Sequence, residues 1–137
     1  MPLYVCNARK GAISDEAKAK IAADITHIHC DVTEAPPNFV HAFFFEEADD
    51  LPLGDNAVVL HGNIRHGRNE KQKAELVQRM RSSIQQHCAL SMDDIQASTS
   101  DTPASWVMEG GELLPEPGEE AEWLEALNAK ISAANGG

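Results

Sequence analysis

Apolar residues fall along this chain in two alternating rhythms, and the order of those rhythms predicts a fold. Leu3-Tyr4-Val5-Cys6 is a short β-type run. Ser14 then stands as a helix N-cap, with Asp15 and Glu16 in the first turn, where acidic groups suit the helix dipole. Behind it Ile21, Ile25, Ile28 and Val32 recur at helical spacing and form one apolar stripe. Pro36-Pro37 ends that helix. The run from Phe39 to Phe45 is apolar at odd and even positions alike, which predicts a strand covered on both faces. The pattern then repeats. Ala57-Val58-Val59-Leu60 is a strand bounded by Gly54 and Gly62, and Asn69 caps a second helix with Gln72 in capping-box position. Leu76, Val77, Met80 and Ile84 are its stripe, and Ile95 to Ser98 is a weak last strand.

The order strand-helix-strand, given twice, predicts an α/β (α+β) fold of β-α-β-β-α-β type. Two βαβ units form one sheet with both helices on one face. Their spans are residues 1–50 and 55–98, within a single domain of 137 residues. The repeat is one of pattern, not of sequence identity. Residues 99–118 read as an ordered loop rich in Gly, Pro and polar residues, and Leu124, Leu127 and Ile131 space a C-terminal helix. One sheet face then has no cover within the chain, and a homo-oligomer is the simplest way to bury it.

Charge narrows the partners. With 22 acidic against 11 basic residues the net charge is −11, which argues against nucleic acid and anionic membrane, since both require basic patches. An anionic substrate would need positive charge gathered at its site. No stretch resembles a signal peptide or a membrane span. Cys6, Cys30 and Cys88 are odd in number and form no CxxC pair, as expected of reduced packing residues in a cytoplasmic protein.

Few residues carry chemistry. Removal of Met1 would make Pro2 an N-terminal secondary amine. Such a group titrates near 7.7–8.0 when unperturbed and lower when buried or beside a cation, so it suits general-base or nucleophilic work. Met-Pro taken alone is an ordinary start. Arg65 and Arg68, in His61-Gly-Asn-Ile-Arg65-His-Gly-Arg68, set two guanidinium forks beside a helix N-terminus. That is a good carboxylate site, or else a pair of surface ion pairs. His29 lies beside the first apolar stripe, where a packing role competes with a catalytic one. His27, His29 and Cys30 do not make a metal site, because residues two apart on a helix face different ways. Glu109 precedes Gly110-Gly111 and is either a water-activating carboxylate or a solvated turn residue.

Taken together, Pro2, His29, His61-Gly62…Arg65…Gly67-Arg68, Glu109 and Leu114-Pro115-Glu116-Pro117-Gly118…Glu122-Trp123 resemble the tautomerase superfamily. The nearest branch is that typified by cis-3-chloroacrylic acid dehalogenase. The resemblance implies a trimer with an active site at the N-terminal proline and no metal or organic cofactor. Pro2 would be the acid or base, Arg65 and Arg68 would hold a substrate carboxylate, and His29 and Glu109 would bind substrate or activate water. One position departs: a tyrosine on the last strand of the dehalogenases is Ser98 here. Three expectations follow. The first is an isomerase acting on a small 2-keto/enol carboxylic acid through a neutral Pro2. The second is a hydratase or cis-3-haloacrylate dehalogenase, weakened by Ser98. The third, if Met1 is retained, is a non-catalytic binding protein on the same fold.

Overall fold

A computed structural model describes residues 2–47 and 52–136. The strand and helix order is the one read from the sequence: β1 (Leu3–Ala8), α1 (Asp15–Thr33), β2 (His41–Glu46), β3 (Val58–Arg65), α2 (Glu70–His87) and β4 (Ile95–Thr102). After them come a two-stranded hairpin of β5 (Met108–Glu109) and β6 (Glu112–Leu113), and then α3 (Glu120–Gly136). The chain divides into two compact units, Met1–Ile64 with Arg68–Ser100 and Arg65–Gly67 with Asp101–Gly137.

In the first unit the main sheet has the order β2-β1-β3-β4. β1 runs parallel to β2 and antiparallel to β3, so the N-terminal strand is central. Strand alternation explains which side is buried. Tyr4, Cys6 and Ala8 of β1 and Val58, Leu60 and Ile64 of β3 are buried with Ile21, Ile25 and Ile28 of α1 and Leu76, Met80 and Ile84 of α2. Both helices therefore cover the same face.

The caps act as their sequences predict. The Ser14 hydroxyl accepts from Ala17 N–H at 3.1 Å. Asn69 and Gln72 close a complete capping box, side chain to backbone in each direction, at 2.8 and 3.0 Å. The two helices run antiparallel and are tied by polar contacts. Gln72 donates to the Val32 carbonyl, while Asp24, midway along α1, accepts from the Ser83 hydroxyl and contacts His87 Nε2.

Two expectations change. The strand from Phe39 starts later, because Pro37–Phe39 forms a single 3-10 turn. One of its faces has no cover within the chain, as the sequence indicates for one side of the sheet: Phe43 is 53% and Phe45 45% exposed. The open side of the sheet is the one pointing away from α1 and α2. β4 is also longer than its apolar residues indicate, since cross-strand polar contacts carry Ser98 and Ser100 in it.

The second unit gives structure to the stretch read as a loop. Gly110 and Gly111 both take positive φ (58° and 82°), the backbone that a two-residue hairpin requires. The Trp123 indole N–H of α3 donates to the Leu113 carbonyl of β6 at 2.6 Å. No helix of the described residues is long and apolar enough to cross a membrane.

Candidate active site

The first unit collects Pro2, His29 and Arg68 from the expected set and adds Tyr4. Pro2 is buried, and its carbonyl accepts from the His41 N–H at 3.0 Å, fastening the start of the central strand to β2. Two residues on, and so on the same side of the strand, Tyr4 is 1% exposed. It lies opposite Gly62 of β3. A Cβ at position 62 would sit 2.3 Å from Tyr4 Cε1, so only glycine lets the ring lie across β3. From there the phenol reaches α1, where its oxygen is 2.7 Å from His29 Nδ1. The two rings meet edge to face, with centroids 5.6 Å apart and planes at 70°.

The electrostatics of the pair follow from burial. His29 is pushed down to about 4, chiefly because the core disfavours the imidazolium and secondarily because the Arg68 guanidinium repels it. The Tyr4 hydroxyl is pushed up by the same burial, against a smaller opposing pull from Arg68. At neutral pH the pair is a neutral imidazole beside a neutral phenol, with the Arg68 cation close by. His29 follows Ile25 by four positions, which places it on the buried stripe and not merely next to it.

The second unit holds Arg65 and Glu109. Arg65, the last residue of β3, has a side chain 14% exposed. Its guanidinium donates to the Pro115 carbonyl and to Glu120 Oε1, both at 3.0 Å. Glu120 Oε2 accepts from the Gly118 N–H at 2.8 Å. The Glu120 carboxyl is held below its usual range by its own backbone N–H first, then by Gly118 N–H and Arg65. Gly67 has φ 118°, and a Cβ there would lie 2.6 Å from Pro117 Cγ. These contacts explain why the strings around Arg65 and Pro115 occur together: one segment is seated on the other. They also show that one of the two arginine forks already grips a carboxylate of this chain. Glu109 is half-buried at the last position of β5, before the tight Gly110-Gly111 turn.

Ser98 takes a different course from the family tyrosine. Its hydroxyl is 2.9 Å from His61 Nδ1, and Ser100 Oγ is 3.0 Å from His61 Nε2 and donates to Asn63 Oδ1. These side chains lie on the open face of the sheet, opposite Tyr4. Cys6 is a packing residue, its thiol pushed up to about 12 mainly by burial.

Sequence reading missed Tyr4, Gly62 and Glu120. Alternation from Pro2 places Tyr4 on the same face, and His61-Gly62 was visible as a motif. The meeting of positions 4, 29 and 62 was not.

Comparison with known proteins agrees with this architecture. The family described as "Putative oxalocrotonate tautomerase enzyme" matches residues 1–128. The crystal structure of N1, a member of the cis-3-chloroacrylic acid dehalogenase family, is 30% identical over 96% of this chain and 99% of that one, with a TM-score of 0.79. Native Ps01740 is 27% identical over 78% and 99%, with a TM-score of 0.71. A native fused 4-OT, 20% identical over 81% and 94% with a TM-score of 0.69, shares the fold. No curated protein sequence matches. The chain therefore belongs to the tautomerase superfamily, in the branch typified by cis-3-chloroacrylic acid dehalogenase.

Proposed function

We propose that this protein is a cofactor-independent tautomerase in which Pro2, exposed as an N-terminal secondary amine by removal of Met1, transfers a proton on a small 2-keto/enol carboxylic acid. A neutral amine takes the enol O–H proton and returns it to carbon, so the enol becomes the ketone with no net gain or loss of atoms. The observation that carries the reading is the placement of Pro2. It is buried at the head of the central strand, on the face where Tyr4 meets a neutral His29 near the Arg68 cation. A half-buried cation such as Arg68 lowers the affinity of a nearby amine for its proton and attracts a carboxylate substrate. Arg68 holds that carboxylate, and the family resemblance assigns Arg65 to the same task, in exchange for Glu120. Glu109 assists proton transfer or orients the substrate. The assembly is a homo-oligomer, as in the fused 4-OT trimers that share the fold, and the uncovered sheet face with Phe43 and Phe45 is the surface it buries.

Water-adding chemistry on cis-3-haloacrylates is the weaker reading. It requires a cationic Pro2 and an activated water, and the Ser98 hydroxyl is engaged with His61 on the opposite face of the sheet. Intact mass reports whether Met1 is removed, and retained Met1 would convert the Pro2 nitrogen to a non-basic amide. Phenylenolpyruvate ketonisation is the assay, and Pro2→Ala should lower kcat/KM by about 10²-fold or more, the usual scale for an acid–base group. Full activity in Pro2→Ala ends the proposal, and a Pro2 nitrogen titrating well above pH 8 ends its general-base form.

A further inference from the structure

A buried histidine presents two nitrogens, and which one bears the proton decides whether it gives or takes a hydrogen bond. In this fold Nδ1 of His29 meets the hydroxyl of a residue 25 positions away in sequence. We infer that Tyr4 is a positioning residue: its hydroxyl donates to Nδ1 of His29 and locks the imidazole as the Nε2–H tautomer, so that His29 serves as a hydrogen-bond donor to a substrate oxygen and not as a base toward water.

The geometry leads there in three steps. First, Tyr4 and His29 are each 1% exposed and 2.7 Å apart, so neither partner trades this contact for water. Second, the phenol has one proton and, among the described residues, one hydrogen-bonding neighbour, Nδ1. If Nδ1 carried a proton and donated to the phenol oxygen, the hydroxyl proton would be left in the core without an acceptor, an arrangement folded proteins avoid. With the hydroxyl donating, the phenol proton and the Nδ1 lone pair are both used, and the ring proton resides on Nε2, left for a substrate oxygen to accept. Third, the ring of Tyr4 is closely seated on β3, which passes beneath it at Gly62, where even a methyl group would overlap the ring. Burial favours the neutral form of both partners, in agreement with this arrangement.

Nε2 has no hydrogen-bond partner among the described residues, so its proton is the one His29 has to offer. A donor of fixed orientation beside a cation stabilises charge that develops on a substrate oxygen, as on an enolate. The substrate half of the inference rests on the tautomerase reading, whereas the tautomer half does not.

The test separates them. Nitrogen-15 correlation spectra of the wild-type protein at pH 7 should show His29 Nδ1 unprotonated and Nε2 protonated. In Tyr4→Phe, which keeps the ring and removes the donor, both His29 nitrogen resonances should move, and kcat for phenylenolpyruvate should fall about tenfold with a smaller change in KM, the scale seen when an orienting partner is lost. A protonated Nδ1 in the wild type overturns the inference, as do unchanged His29 resonances in Tyr4→Phe. Shifted resonances with kcat unchanged remove the donor role. The wild-type spectrum requires no variant, so a misfolded Tyr4→Phe leaves the tautomer decided. Loss of the tautomerase reading would appear instead as full activity in Pro2→Ala.

Discussion

Gly62→Ala is the smallest change that should disturb the candidate site from a distance. The added Cβ would fall 2.3 Å from Tyr4 Cε1 and 2.7 Å from Cδ1, where ordinary contact begins at 3.4 Å. The ring or strand must therefore yield by about 1 Å in a core packed at the density of an organic crystal. Overpacking of this kind costs about 1–3 kcal/mol. A 1 Å shift of the phenol also breaks a 2.7 Å hydrogen bond to His29, and a buried polar group left unsatisfied adds about 1–3 kcal/mol. Partial relaxation makes the two overlap, so about 2–4 kcal/mol is expected in total. With about 2.1 cal/mol/K of unfolding entropy per residue, a chain of 137 residues loses about 3.5 °C per kcal/mol. The melting temperature should fall by about 7–14 °C. The assay is thermal unfolding of four proteins: wild type, Gly62→Ala, Tyr4→Ala and the double variant. Because the clash is with the Tyr4 ring, Gly62→Ala should cost far less once that ring is gone, a positive coupling in the cycle. A Gly62→Ala protein melting within about 2 °C of wild type, or a cycle showing no coupling, would refute the packing argument.

The depressed His29 gives a second prediction, on acid stability. The unfolded imidazole binds a proton below about pH 6.5, while the folded one refuses it until about pH 4. The unfolded state therefore holds more protons in that window and stability falls as pH falls through it, by up to about 3 kcal/mol. A wild-type protein whose stability loss between pH 6.5 and 4 equals that of His29→Asn would contradict this. Asn69→Ala removes the acceptor of the capping box and should lower stability by about 1 kcal/mol in urea titration, with the m-value unchanged. Glu120→Gln removes the internal carboxylate from Arg65. If substrate competes for that fork, KM for a carboxylate substrate should fall several-fold, corresponding to about 1 kcal/mol, and an unchanged KM would make Arg65 a structural anchor only.

Much of the fold was legible in the chain because its signals are local. Ser14 and Asn69 bond to their own first turns, and the stripes of Ile21, Ile25 and Ile28 and of Leu76, Met80 and Ile84 repeat with the helix period. The signals that said less are those whose meaning depends on neighbours. Phe43 and Phe45 read as residues that want cover, and hydrophobicity reports that preference for burial and not what supplies it. Arg65 read as a substrate fork or a surface ion pair, and its carbonyl and carboxylate partners, Pro115 and Glu120, lie 50 and 55 residues further along the chain, beyond the reach of local patterns.

The sequence by itself determined the element order, both helix caps and the face each helix buries, since each is encoded by periodicity or by residues a few positions apart. Only the tertiary structure decided that Tyr4, His29 and Gly62 converge, that His29 is held neutral, and that Arg65 already grips a carboxylate. Those outcomes arise from desolvation and from contacts between distant segments. Neither exists until the strands are paired and the helices are packed over them.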